Sequence, residues 1–225
     1  GGPQTDDLQR TLGDEPKKID GRRVTNKTAM RALRMATAGE LHGDVVAALG
    51  AAGALAVGIS GASVVTALRR PPIETSAGLV DLGEVGDVAS VDPAPFRALL
   101  EAGRMPVVSP PVGDGRGGFL NVNADLLAAS LATALGAAKL VFVTGAPGIL
   151  ANPSDRSTLL SALSLRELDG LDAEGVLAAG MNVKAAAIRA ALEGGVERVH
   201  IVSGHEPDAL LRELYTTHGS GTLVT

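Results

Sequence analysis

Four runs of apolar, largely β-branched residues recur along the chain: residues 54–60 (ALAVGIS), Met105–Ser109 (MPVVS), Lys139–Thr144 (KLVFVT) and Arg198–Ser203 (RVHIVS). None shows strict polar alternation, so each reads as a short strand covered on both faces. Between them apolar positions recur at helical spacing. Residues 125–135 (DLLAASLATAL) stop at Gly136 and residues 183–193 (VKAAAIRAALE) stop at Gly194-Gly195. A glycine closes a helix readily because it accepts the left-handed conformation. Residues 8–12, 28–38 and 44–49 carry the same helical pattern. Repeated strand–helix alternation predicts an α/β fold, an open αβα sandwich with a mostly parallel central sheet. Ligands of such sheets collect in loops beyond the carboxyl ends of strands.

Residues 69–92 interrupt the alternation. They are rich in Pro and Gly with short polar–apolar pieces (GLVDLGEVGDVASV), and they predict a β-hairpin excursion at a sheet edge. A domain boundary could fall there, and a second, near Pro110, would divide a single 1–225 domain into an N-terminal substrate half of about 1–109 and a C-terminal nucleotide half of about 110–225. Gly113-Asp114-Gly115-Arg116-Gly117-Gly118 matches G-x-G-x-x-G. A dinucleotide loop of that form opens directly into a helix, whereas here extended residues 119–123 intervene, so a hairpin turn is expected.

The 225 residues, 45% hydrophobic and 20% charged, suffice for one large α/β domain or two small ones. Aromatics at 2% and a net charge of −5 leave neither stacking platform nor basic face for nucleic acid. The absence of cysteine removes disulfides, thiolate metal sites and cysteine nucleophiles. No run approaches the roughly 20 apolar residues that span a bilayer, and no signal peptide is visible. The expected location is the cytoplasm, without membrane or nucleic-acid partners.

There is no Walker-type phosphate loop, no GxSxG elbow and no HExxH. His42, His200, His205 and His218 show no metal-ligand spacing, and His200 falls in an apolar strand as a core or edge residue. Three segments carry candidate chemistry. Gly1-Gly2-Pro3-Gln4 precedes a helical pattern, where exposed N–H groups hold anions, although from this stretch alone an unordered start is the better reading. Asn121 and Asn123, two apart on an extended segment, face one way and suit a shared ligand, or serve as turn and cap residues. Gly180-Met181-Asn182-Val183-Lys184 sets a glycine turn before a helix and a lysine in its first turn. That cation opposes the helix dipole, so it either meets a phosphate there or points to solvent.

In this order the segments resemble the amino acid kinase family, specifically those members that phosphorylate acetylglutamate. The family carries a glycine-rich loop, RVT, NVNAD, a TD-x-x-G turn after an apolar strand, GM-x-x-K and a closing GT. Here these read Gly1-Gly2-Pro3, Arg23-Val24-Thr25, Asn121-Val122-Asn123-Ala124-Asp125, Thr144-Gly145-Ala146-Pro147-Gly148, Gly180 to Lys184, and Gly219-Ser220-Gly221-Thr222. The resemblance implies an open αβα sandwich, usually dimeric through a helix near residues 28–49. It also implies transfer of a phosphoryl group from ATP, with its Mg2+, to the side-chain carboxylate of a small acidic amino acid in arginine biosynthesis. Gly1, Gly2, Arg23, Asn121 and Asn123 would bind that substrate. Thr144, Gly145, Gly148, Gly180, Met181 and Lys184 would bind the nucleotide, with Lys184 also catalytic.

Several positions depart from the family pattern. The family's phosphoryl-contacting lysine lies on a strand before the point where this sequence starts, so preceding residues are expected. The TD aspartate is Gly145, the Asn-Lys pair reads His42-Gly43, an aspartate near Gly61 is replaced by Ser63, and Asp-Gly-Arg reads Ser203-Gly204-His205. Two other readings follow. One is a kinase of carrier-linked or acetylated aminoadipate, favoured by the basic cluster Lys17, Lys18, Arg22 and Arg23. The other is a non-catalytic ligand sensor, favoured by Gly145.

Overall fold

The computed structural model describes residues 2–19, 22–75, 78–177 and 180–225. Gly1, a candidate substrate residue, lies outside the described residues. The chain forms two compact units, Gly1–Leu127 and Ala128–Thr225, and the boundary falls inside the helix Ala124–Leu135. Residues 110–127 thus group with the first unit.

In the first unit, the helix Gly2–Thr11 begins at Gly2 itself, so Gly2 sits in a helical turn and not in a loop ahead of one. A two-stranded ribbon, Lys18–Ile19 with Arg22–Arg23, follows. Asn26 then caps the next helix, its Oδ1 accepting the Ala29 N–H at 2.8 Å. That helix, Lys27–Leu33, runs without a break into a π-helical turn, Arg34–Glu40, and on into Leu41–Ala51. The two separate helices expected at 28–38 and 44–49 are therefore one continuous element. A π turn holds an extra residue, which breaks the 3.6-residue phase that sequence periodicity follows. Inside it, Thr37 Oγ1 lies 2.7 Å from the Leu33 carbonyl and 2.6 Å from the Pro110 carbonyl. A side chain serving both its own helix and a neighbour is a recognised cause of such local unwinding.

The strands Ala56–Ser60 and Met105–Ser109 pair in parallel. A four-stranded sheet orders Phe119–Leu120, Val112–Gly113, Val65–Arg69 and Gly86–Val91. The expected β-excursion is present: Gly86–Val91 returns antiparallel to Val65–Arg69, and Ile73–Thr75 with Gly78–Val80 forms a small ribbon beyond. The G-x-G-x-x-G segment is a hairpin turn, as expected. Phe119 and Leu120 pair antiparallel with Gly113 and Val112, and Asp114 Oδ1 accepts the N–H groups of Arg116 and Gly118 at 2.7 and 2.8 Å.

In the second unit, Arg198–Ser203 is the central strand, buried from Val199 through Ser203. Lys139–Thr144 runs parallel to it, Thr222–Val224 antiparallel, and Ala162–Leu163 lies outside the latter in parallel. Helix Met181–Glu193 buries Ala185, Ala187, Ile188 and Ala191. Its alanines keep the approach close. Helix Leu165–Ala173 opens on a capping box in which Ser164 and Glu167 exchange hydrogen bonds, and Arg189 Nε donates to Asp169 at 2.9 Å to join these two helices. Among the described residues no helix is long and apolar enough to cross a membrane.

Candidate functional site

The substrate-side candidates lie in the first unit. Arg23 ends the short ribbon with its side chain only 9% exposed, in an ion pair with Asp6. Its Nη1 also donates to Gln9 Oε1 at 3.1 Å and its Nη2 to the Gly2 carbonyl at 3.2 Å. These contacts take three of the five N–H groups of a guanidinium fork, so helix Gly2–Thr11 aims Arg23. Burial pushes the Asp6 carboxyl up, but Lys18 and Arg23 outweigh it and hold it below the usual carboxylate range. Lys18 Nζ lies 3.0 Å from the same carboxylate. The basic cluster read from sequence is therefore partly neutralised from within, which weakens the case for a carrier protein.

Thr25, fully buried, links two motif segments. Its hydroxyl donates to the Arg23 carbonyl at 3.2 Å and accepts from Asn121 Nδ2 at 3.0 Å. Gly83, at φ +79, packs against the Thr25 carbonyl where any Cβ would stand 2.4 Å away, and this close approach seats the segment. The two asparagines take different partners. The extended run stops at Asn121, whose backbone pairs with Glu84 and Gly86. Asn123 instead caps the following helix, its Oδ1 accepting from Asp125 N at 2.9 Å and Leu126 N at 3.1 Å. The geometry thus favours the cap reading for Asn123, while Asn121 braces the RVT segment.

The nucleotide-side candidates lie in the second unit. Thr144 ends its strand, where Oγ1 accepts the Ala146 N–H at 2.9 Å and turns the chain. Gly148 is sterically required: an added Cβ would lie 2.5 Å from Thr222 Oγ1 and 2.7 Å from Leu159 Cδ1. Ala146, Gly148, Ile149, Leu150, Leu177 and Met181 are among the residues lining a mainly apolar cavity of about 120 Å³. Gly180, at φ +88, enters helix Met181–Glu193 without a side-chain cap among the described residues, and first-turn N–H groups have no acceptor within their own helix. Lys184 Nζ sits 4.5 Å from the Phe142 ring centroid, which holds the lysine over the strand that ends at Thr144. The cavity, the uncapped helix start and this lysine fit a nucleotide.

Gly145 is not in a glycine-only conformation, and a Cβ there would point toward His205, 3.5 Å from Nε2. His205 was not among the site residues read from sequence. Its signal was the departure Ser203-Gly204-His205, and Gly204 N donates to the Thr144 carbonyl at 2.7 Å. The other departures have local roles. His42 Nε2 meets the Val107 carbonyl at 2.9 Å, and Ser63 Oγ donates to the Ser60 carbonyl at 2.8 Å. His200 is a buried strand residue paired with Glu213 at 2.8 Å. Among the described residues no group of three or more His, Asp or Glu could hold a metal ion.

Along its whole length the chain is 46% identical to the acetylglutamate kinase of Myxococcus xanthus, covering 75% of that protein. It is 40% identical to the acetylglutamate kinase of Archaeoglobus fulgidus, covering 79% of it. Among solved structures, N-acetylglutamate synthase from Neisseria gonorrhoeae, complexed with coenzyme A and N-acetyl-glutamate, superposes on 98% of the chain with a TM-score of 0.83 at 32% identity; the chain spans about half, 49%, of that protein. The sequence profile of the amino acid kinase family matches residues 1–203. With this match over most of its length and relatives 46% and 40% identical along the whole chain, the chain belongs to the amino acid kinase family.

Proposed function

We propose that this protein is an acetylglutamate kinase, transferring the γ-phosphoryl group of ATP to the side-chain carboxylate of N-acetyl-L-glutamate in arginine biosynthesis. The products are an acyl phosphate and ADP. The observation that carries the reading is the match of this whole chain to 75% and 79% of two acetylglutamate kinases at 46% and 40% identity. The geometry supports it. Arg23, aimed by Asp6 and Gln9, offers a bidentate partner to the substrate carboxylate, and Asn121 keeps its segment in place through Thr25. Gly2 and the exposed Asn123 carboxamide complete the substrate side, with Gly1 by resemblance.

The first unit takes the acidic substrate and the second the nucleotide. The apolar cavity receives the purine, while the Gly180 helix start and Lys184 meet the phosphates. Phosphoryl transfer depends mainly on positioning and charge neutralisation, and Lys184 supplies a cation as charge moves to the leaving ADP. Mg2+ arrives on the ATP phosphates. The protein works in the cytoplasm as a homodimer. Helix Leu41–Ala51 supports that pairing, because none of its residues is buried and Val45 is 48% exposed.

A coupled ADP-release assay on the full-length protein, with acetylglutamate and acetylaminoadipate side by side, tests the reading. Faster turnover of acetylglutamate supports it, and preference for acetylaminoadipate replaces the substrate. Nucleotide binding without turnover of either favours the sensor reading that Gly145 keeps open.

A further inference from the structure

We propose that Glu213 is a positioning residue for the nucleotide cavity, acting through the closing turn at residues 219–222. The proposal rests on the nucleotide reading of the second unit. Glu213 lies on helix Ala209–Tyr215 with a side chain 5% exposed. Its two oxygens have separate tasks. Oε1 meets His200 Nδ1 on the central strand at 2.8 Å. Oε2 accepts the backbone N–H groups of Ser220 and Gly221 at 2.8 and 2.9 Å. Ser220 Oγ adds a bond of 2.7 Å to the Ala209 carbonyl at the start of the same helix.

The turn is thereby pressed onto the sheet. Gly219 has φ +63, and a Cβ there would stand 2.8 Å from Glu213 Oε2. A Cβ on Gly221 would stand 2.0 Å from the Ile201 carbonyl. Only glycine permits both approaches. The next residue, Thr222, is fully buried. Its hydroxyl accepts the Ile149 N–H at 2.9 Å and donates to the Leu160 carbonyl at 2.6 Å, and Gly148 packs directly against it. Gly148 and Ile149 line the cavity. A continuous path of hydrogen bonds and close contacts therefore runs from the buried carboxylate, through a turn of fixed shape, to the cavity wall.

Displacing the turn shifts Thr222 and with it the backbone against which a nucleobase lies. The acidic substrate, bound through other residues, is left alone. The expected signature is selective weakening of nucleotide binding in a folded protein. ADP is the probe, measured by calorimetry on the full chain, with KM values for ATP and acetylglutamate and circular dichroism on every variant. Thr222→Val and Glu213→Ala each weaken ADP about tenfold, the size of one lost buried hydrogen bond. The double variant is weaker than the poorer single by no more than about twofold, because the two share one path. The KM for acetylglutamate stays within about twofold of wild type. Glu213→Gln, which keeps an oxygen for the Ser220 and Gly221 N–H groups, recovers most of the affinity. Should Glu213→Ala not fold, Thr222→Val and Glu213→Gln still carry the test. The proposal is overturned if folded Thr222→Val or folded Glu213→Ala binds ADP like wild type, if folded Glu213→Gln loses as much affinity as Thr222→Val, if losses multiply in the double variant, or if both KM values rise equally. A wild-type protein that does not bind ADP overturns the nucleotide reading itself, and this proposal with it.

Discussion

Thr25 and Asn121, far apart in sequence, meet through one hydrogen bond in which Asn121 Nδ2 donates to the Thr25 hydroxyl at 3.0 Å. Because Thr25 is fully buried, its end of the bond is shielded from water. Replacing Thr25 by Val or Asn121 by Leu should each cost about 1–3 kcal/mol, since either change strands a polar partner. The double substitution removes both partners, so its cost should fall below the sum of the singles. Urea unfolding of the four proteins measures this coupling, and strict additivity would show the bond to be inert.

Arg23→Ala should raise the KM for acetylglutamate by about 10- to 100-fold, the loss of a charge-assisted bidentate contact. The KM for ATP should change far less. The variant should also lose stability, because Asp6 keeps only Lys18 as an ionic partner. Steady-state kinetics with each substrate varied in turn decides the first point. Equal effects on both KM values would remove Arg23 from the substrate side.

Lys184→Ala should reduce kcat by about 10² to 10³ while leaving the circular dichroism spectrum unchanged. Gly145→Asp should fold, since Gly145 does not occupy a positive φ and its Cβ position is open toward His205. It should raise kcat by supplying a carboxylate beside the end of the Thr144 strand. Full activity in Lys184→Ala would move the catalytic cation elsewhere.

Acid should destabilise the protein partly through Glu213. Burial pushes its carboxyl up, but His200 and the N–H groups of Ser220 and Gly221 outweigh burial and hold it below its ordinary value of 4.5. The ionised form is thus bound more tightly in the folded state. Its contribution is present in full above 4.5 and is lost as pH falls through the lower folded value. Glu213→Gln should flatten the fall of Tm below pH 4.5 relative to wild type. Parallel Tm curves for the two proteins would contradict this.

A homodimer should be seen by sedimentation at micromolar concentration, and Val45→Glu should shift it to monomer by placing a charge on the exposed helix Leu41–Ala51. A monomeric wild type would refute the pairing.

Strands whose signal is a local apolar run were legible from sequence. Met105–Ser109, Lys139–Thr144 and Arg198–Ser203 have the bounds that the pattern indicated. The helix Leu165–Ala173 carried a readable start in Ser164 and Glu167 that an apolar-run search passed over, because its buried face reduces to Leu168. The nucleotide-side segments could be ordered by resemblance. The long-range partners could not be read, since nothing local in Asn121 announces Thr25 and nothing in Glu213 announces Ser220. The spacing of Asn121 and Asn123 had a limit of another kind: a separation of two means a shared face only while the chain stays extended, and here a helix begins at Ala124.

The π-helical turn Arg34–Glu40 bears on how this chain tolerates changes in length. Each α-helical residue turns the axis by about 100°, so the surplus residue in the wide turn sets the phase of everything from Leu41 onward. Deleting one residue between Arg34 and Glu40 would allow ordinary α winding to continue smoothly, yet it would swing His42 away from the Val107 carbonyl and off Gly58, where an added Cβ would stand 3.0 Å from the His42 ring. A helix made locally more regular would thereby lose its seat on the parallel strand pair. The irregular winding is a spacer whose length, more than its composition, keeps this half of the helix in register with the sheet.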